Sequence, residues 1–156
     1  MSVIIQGYQL REIGFGVQVI KTAQAFPQTA TGTLFTVATG NVLVTSFFGI
    51  LTTATTTDPQ ITLGTAPSNG GTAETAGLAT TTALTSKEVG TWLGLLASSN
   101  KAGALVVGTA SGSVLWSTTP FVVAPGTITI TTAASQAGAA TWYLTYVPLD
   151  TGATVS

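Results

Sequence analysis

The side chains that could move protons or attack carbonyl groups are scarce in this chain of 156 residues, which has no histidine and no cysteine. General acid–base catalysis needs a group that titrates near the working pH, usually a histidine or a carboxylate with a raised pKa. Glycosidases use two facing carboxylates. Only Glu74 and Glu88 lie within one stretch, and nothing in the sequence brings them together. The charged residues are Arg11, Glu12, Lys21, Asp58, Glu74, Lys87, Glu88, Lys101 and Asp150.

The sequence also lacks the residue patterns of nucleophilic, metal-binding and phosphate-binding sites. Serine and threonine are abundant, but a hydroxyl needs an activating base before it becomes a nucleophile. Zinc sites use cysteine and histidine, and calcium sites use clustered carboxylates, whereas Asp58 stands alone. Residues 16–22 only faintly resemble a phosphate-binding loop, because Ile20 stands where a glycine must precede the lysine. We therefore expect a protein that is not an enzyme and that has no cofactor and no metal.

The low charge also limits the partners that this chain can recruit. Charged residues make up 6% of the sequence and the net charge is −1, against about a quarter charged in an ordinary soluble domain. Such a surface has little attraction for phosphate or anionic lipid, and a net charge near zero favours association. We expect much of the surface to be covered by other copies of the chain or by another protein.

The pattern of strand-forming and turn-forming residues predicts an all-β protein. Segments rich in valine, isoleucine, threonine and aromatic residues are separated by glycine, proline, asparagine and serine. Their number and spacing favour a β-sandwich of the jelly-roll type. The predicted strands are residues 34–38, 42–53, 60–63, 76–84, 91–97, 104–108, 113–117, 121–123, 127–133 and 141–147.

The first 32 residues differ from the rest, because glycines interrupt them and no long hydrophobic period continues through them. We interpret residues 1–32 as an extended N-terminal arm with one short strand over 16–20, and residues 33–156 as the β-sandwich domain. The arm is either a frayed terminus or a segment that becomes ordered on a neighbour. Removal of residues 1–25 should then leave a folded β domain. Residues 85–89 fit either one helical turn or a polar loop.

Two groups of apolar residues suggest binding surfaces. Residues 42–53 are apolar on both faces of the predicted strand, as expected of a central strand or of a strand that faces another subunit. We favour the second interpretation, which makes Phe47, Phe48 and Ile50 candidate subunit-interface residues. Tryptophans and tyrosines could line a sugar-binding groove, although aromatic residues in a β-sandwich belong more often to the core or to an interface. The tryptophans are Trp92, Trp116 and Trp142.

Several phrases of the sequence resemble small structural proteins of tailed bacteriophages. In the C-terminal part these are residues 120–128 (PFVVAPGTI), 133–138 (AASQAG) and 142–153 (WYLTYVPLDTGA). In the N-terminal part they are residues 8–14 (YQLREIG), 32–37 (GTLFTV), 42–45 (VLVT) and 49–54 (GILTTA). The likeness reaches across most of the chain and weakens over residues 54–107. The phrases are not catalytic motifs, so they point to the group more than to a role within it.

The resemblance implies a component of the virion, and within that group a head decoration (cement) protein. Such a protein binds and stabilises the exterior of the capsid as a homotrimer, and its partners would be its own copies and the major capsid protein, with no nucleic acid and no membrane. It would be assembled in the host cytoplasm, in agreement with the absence of a signal-peptide pattern over residues 1–7. The candidate capsid contacts are Tyr8, Leu10, Arg11 and Ile13. The alternative is a phage fibre or tail protein that recognises a host-surface glycan.

Overall fold

The computed structural model describes residues 6–56, 60–95, 103–108, 119–134 and 137–156. Within these ranges the chain forms one helix and eleven strands. They are α1 (Gly7–Phe15), β1 (Val17–Ala25), β2 (Thr31–Ala38), β3 (Val42–Thr53), β4 (Gln60–Pro67), β5 (Glu74–Ala83), β6 (Trp92–Leu95), β7 (Gly103–Val107), β8 (Phe121–Val123), β9 (Gly126–Thr132), β10 (Ala139–Pro148) and β11 (Thr154–Val155). Nine of the ten predicted strand segments coincide with β2 to β10, and the segment 113–117 lies outside the described residues.

The strands form two antiparallel sheets that pack against each other, which confirms the predicted all-β sandwich. Sheet A has the order β1–β10–β3–β6–β7, with β8 also paired to β3. Sheet B has the order β5–β4–β9–β2–β11. A parallel pairing of β5 with β7 connects one sheet to the other. The jelly-roll arrangement stays a prediction.

The core lies between the inner faces of the two sheets and is centred on three rings. Phe47 contacts Phe35 edge-to-face, with ring centres 6.0 Å apart, and stacks on Trp142 at 5.5 Å. All three side chains are fully buried. Gly49 leaves room for the indole, because a β-carbon there would lie 2.8 Å from the Trp142 ring. These rings therefore join β2, β3 and β10 across the sandwich.

The N-terminal segment is more ordered than the sequence predicts. Gln6–Phe15 is not extended, since Gly7–Phe15 forms α1, which ends where Gly16 takes a φ of 95° and donates its N–H to the Glu12 carbonyl at 2.9 Å. The following strand is longer than the predicted segment 16–20, and it pairs with β10 on both sides of an irregularity at Thr22 and Ala23. The predicted domain boundary after residue 32 also falls inside β2. Among the described residues before β1, Gln6–Gly16 stand outside the two sheets.

The segment 85–89 is a polar loop and not a helical turn. Ser86 has a φ of 49°, which no helix accommodates. The loop is held to the end of β3 by Thr55, whose N–H donates to the Lys87 carbonyl and whose hydroxyl accepts from the Lys87 N–H, both at 2.9 Å. The same hydroxyl donates to the Leu84 carbonyl. Because Thr55 is buried, these bonds fix the path of the loop beside the end of β3.

Candidate interaction surface

Among the residues that the structure describes, the acidic side chains do not gather into a cluster of three or more. Within the described ranges, no three acidic residues lie close enough to hold a metal ion. Glu74 begins β5 and Glu88 lies in the loop after Leu84, and both are exposed. Asp58 and Lys101 lie outside the described residues. No helix in the described part of the chain is long and apolar enough to cross a membrane. The described residues do form exposed apolar surfaces.

The three predicted interface residues of β3 do not share one face. Phe47 is fully buried in the core, so its prediction as a subunit-interface residue is wrong. Side chains alternate between the two faces of a strand, and this alternation places Phe48 and Ile50 on the outer face of sheet A. Both are half-buried there. The strand is thus a central strand of sheet A with one face in the core and the other on the surface, and its contact with another subunit stays a prediction.

Phe48 is the middle member of three stacked rings, which we call the aromatic row: Trp92, Phe48 and Tyr143. The ring centres of Phe48 and Tyr143 lie 4.7 Å apart with planes inclined by 13°. Those of Phe48 and Trp92 lie 5.4 Å apart, with an inclination of 19°. The rings belong to three neighbouring strands, β6, β3 and β10. Because the separations are close to the spacing between strands, the rings stand on the sheet and stack face to face.

Apolar residues flank the aromatic row on the same outer face. Ile20 of β1 pairs with Tyr143 and is 48% exposed. At the other end of the sheet, Leu43 pairs with both Val147 and Val122, and these two valines are also exposed. The residues of sheet A that the register places on this face include no charged side chain among those described. Among the described residues this face therefore carries no charge, and its apolar side chains lie on either side of a polar row formed by Gln18, Thr145 and Ser46.

Helix α1 lies against this end of sheet A and keeps most of its apolar side chains away from the core. Leu10, Ile13 and Phe15 are 56%, 75% and 74% exposed. Nine residues are too few for a stable isolated helix, since helices in proteins depend on packing of an apolar face. The side chains of Tyr8 and Arg11 lie outside the described residues. The predicted capsid-contacting residues are thus all part of one short helix, and Leu10 and Ile13 are available on its surface.

An open cleft of about 350 Å³ separates the C-terminal end of α1 from the strands beneath it. The Thr45 hydroxyl at its floor donates to the Phe15 carbonyl at 3.2 Å. Among the described residues, apolar and hydroxyl groups line the cleft and no charged side chain does. The lining residues are Gly14, Phe15, Thr45, Ser46, Thr145 and Val147.

The outer face of sheet B has a different character. Thr31, Thr33 and Thr36 of β2 are exposed on it, opposite threonines of β9. The hydroxyls of Thr31 and Thr131 are hydrogen-bonded at 2.7 Å. Threonine suits a strand and hydrates its surface without charge. The two outer faces of the sandwich are therefore chemically distinct, because one is rich in threonine and the other carries the aromatic row and its apolar neighbours.

The sequence alone did not identify Trp92 and Tyr143 as the neighbours of Phe48. A signal was present for Tyr143, because the alternation over residues 141–147 places it on the face opposite Trp142. No comparable signal pairs β6 with β3, since that pairing joins segments that are distant in sequence. Trp116, the remaining tryptophan of the predicted sugar groove, lies outside the described residues, and Trp142 belongs to the core.

Comparison with protein-family models, curated proteins and solved structures finds no match to this chain.

Proposed function

We propose that this protein is a non-enzymatic structural component of a virion, and specifically a decoration protein that binds the exterior of a tailed-phage head as a homotrimer. The observation that carries the proposal is the exposed apolar surface on the outer face of sheet A, formed by the aromatic row and its apolar neighbours, together with the exposed apolar side chains of α1. A protein with this surface and a net charge of −1 gains by being covered. Short segments of its sequence resemble small phage structural proteins, and this resemblance suggests that the assembly is a phage virion.

The two apolar regions suit two different contacts. In a three-fold ring each subunit meets the next through unlike surfaces, so the outer face of sheet A would pack on another region of the neighbouring subunit. Helix α1 is convex and presents Leu10 and Ile13, three residues apart on one side. This is the form of a helix that lies in a groove of a partner, and we assign that partner as the major capsid protein.

Apolar burial would supply the energy of both contacts. It contributes about 25 cal/mol per Å² of apolar surface, and the surplus over the entropy and ordering costs appears as affinity. Many copies on one shell add avidity. Since Coulomb attraction between charged groups contributes little here, salt should screen little of the interaction.

The second candidate is a fibre or tail protein that binds a host glycan. The aromatic row is the feature that could serve it, because sugars stack on exposed aromatic faces. In this structure, however, each face of Phe48 is turned toward another ring of the row, at 4.7 and 5.4 Å. The row therefore presents mainly ring edges outward, which favours packing against protein side chains over stacking with a sugar.

Phe48→Asp tests the role of the outer face of sheet A in self-association. A charge buried in an apolar interface is costly, so we expect the trimer mass in light scattering to fall to that of a monomer. Thr33→Asp is the matched control, because it places the same charge on the exposed outer face of sheet B. Circular dichroism would confirm that both variants retain the β fold. An unchanged trimer in Phe48→Asp contradicts the assigned interface.

The decoration role is tested on intact particles. Cryo-electron microscopy should show three-fold clusters of this β-sandwich on the outside of the head, and washing the particles with concentrated salt should leave them in place. Density for the chain only in the tail, or its absence from the particle, would refute the decoration role. Its release in moderate salt would refute the apolar mechanism of attachment.

A further inference from the structure

The loop between β4 and β5 contains an asparagine followed by glycine, Asn69-Gly70. Residues 68–71 are exposed. Gly70 has a φ of 87°, and no atom of the described residues, its two chain neighbours apart, lies within 4 Å of the position that a β-carbon on it would take. Its N–H has no hydrogen-bond partner among the described residues. The backbone nitrogen after Asn69 is therefore neither shielded by a side chain nor held in a hydrogen bond.

The carboxamide of Asn69 lies beside the loop residues that follow it. Its Oδ1 lies 3.5 Å from the position of a β-carbon on Gly71, so the side chain folds over the residues that follow it. Asparagine is among the chemically labile residues of proteins. It usually loses its side-chain amide when the next backbone nitrogen attacks the side-chain carbonyl. Glycine is the residue that hinders this attack least, because it has no β-carbon.

Asn41 lacks these features and provides a comparison within the same chain. Its Nδ2 donates to Asp150 Oδ2 at 2.8 Å, and its backbone N–H donates to the same oxygen at 2.7 Å. The residue that follows, Val42, is β-branched, fully buried and the first residue of β3. Both the nucleophile and the leaving group are therefore restrained at Asn41.

We propose that Asn69 is a site of spontaneous deamidation, which marks aged molecules of this protein with an additional negative charge. The Gly70 nitrogen loses its proton and bonds to Asn69 Cγ, and the bond from Cγ to the side-chain nitrogen breaks, so that ammonia leaves with a proton. Water then opens the cyclic imide. Opening at Cγ gives aspartate, and opening at the backbone carbonyl gives isoaspartate, in which the main chain runs through the former side chain. The net reaction consumes one water and releases one ammonia.

The position of the site limits its effect on the fold. Ser68, just before it, is fixed to the turn between β8 and β9, because its N–H donates to the Pro125 carbonyl at 2.8 Å. The modified bond lies beyond this anchor, in the exposed part of the loop. Deamidation should therefore alter the charge and the local chain path while both sheets remain folded.

Mass spectrometry of the full-length protein after prolonged incubation tests the proposal. We expect the mass change of amide-to-acid conversion at Asn69, together with isoaspartate detected by enzymatic methylation, while Asn41 stays unmodified. Conversion should be faster in mildly alkaline than in mildly acidic buffer, because the attacking nitrogen must lose its proton. Circular dichroism should not change as the product accumulates.

Asn69→Gln is the matched variant, since the longer side chain retains the amide but forms the corresponding ring poorly. During the same incubation, the Asn69→Gln variant should not develop the more acidic species that ion-exchange chromatography separates from the wild-type protein. A peptide of residues 66–72 gives the reactivity of the same sequence without the fold. If this peptide converts while Asn69 in the protein does not, the loop protects the site and the proposal is wrong. Conversion of Asn41 as fast as Asn69 would equally overturn it.

Discussion

Phe48 and Tyr143 stack with ring centres 4.7 Å apart on the outer face of sheet A, although the residue before Phe48 lies in the core. The register pairs Tyr143 with Phe48 and Leu144 with Phe47. Each strand thus contributes one residue to the surface and the next to the interior. Adjacent residues of similar chemistry therefore have separate roles, and substitutions at the two positions should have different consequences.

Phe47→Ala and Phe48→Ala should separate stability of the fold from stability of the assembly. Phe47→Ala leaves a cavity beside Trp142 and should lower the free energy of unfolding by about 3–5 kcal/mol. Phe48→Ala removes a half-buried side chain and should cost less within one chain. Urea denaturation at several protein concentrations measures both effects.

The dependence on protein concentration distinguishes the two variants. A folded trimer becomes more stable as its concentration rises, by mass action. Phe47→Ala should shift the denaturation midpoint at every concentration, whereas Phe48→Ala should weaken the concentration dependence itself. A concentration-dependent midpoint that Phe48→Ala leaves unchanged would show that the aromatic row is not the trimer contact.

The strands were predictable because their signals are local. The bounds of β3 and β8 match the predicted segments 42–53 and 121–123, since runs of β-branched and aromatic residues end there at turn-forming residues. Side chains alternate between the two faces of a strand, but this alternation does not show which face is buried when both are apolar, as at Phe47 and Phe48. That choice depends on pairing with strands distant in the sequence.

The helix was missed for a different reason. Its N-terminus uses Gln6, whose N–H donates to Gln9 Oε1 at 2.9 Å, whereas the residues usually found at this position are serine, threonine, aspartate and asparagine. Its apolar residues pack little on their own chain, so no amphipathic period was visible. Gly16, which follows the last helical residue, was the one common sequence marker of a helix end. Interaction surfaces are thus the part of this protein that local sequence patterns describe least well.

Thr55→Val should loosen the loop after β5. Valine has nearly the shape of threonine but removes the hydroxyl that accepts from the Lys87 N–H and donates to the Leu84 carbonyl. Leaving these buried or half-buried groups unpaired should cost about 1–3 kcal/mol of unfolding free energy. Hydrogen exchange at the Lys87 amide should become faster.

Thr56→Val is the control, because Thr56 is exposed and its substitution should change the unfolding free energy by no more than about 0.5 kcal/mol. Equal losses in the two variants would mean that the hydrogen bonds of Thr55 are not the source of the effect. Unchanged protection of Lys87 in Thr55→Val would lead to the same conclusion.

Deletions from the N-terminus should show that attachment and folding have different boundaries. Removal of residues 1–15 takes away α1 and its exposed Leu10, Ile13 and Phe15 but leaves every described strand. We expect this truncated protein to unfold with nearly the free energy of the full chain and to bind particles poorly. Co-sedimentation with particles and urea denaturation measure the two properties.

Removal of residues 1–25, which the sequence alone predicted to leave a folded domain, should instead damage the sandwich. It deletes β1, whose Val17 and Val19 pack against the core, and burial of two such half-buried side chains contributes about 2 kcal/mol. It also turns β10 into a long apolar edge strand, the kind of edge that promotes aggregation. We expect a lower midpoint in urea and aggregation of this protein, in contrast to the shorter deletion. If both deletions are equally stable, β1 is dispensable; if the shorter one still decorates particles normally, α1 is not the capsid contact.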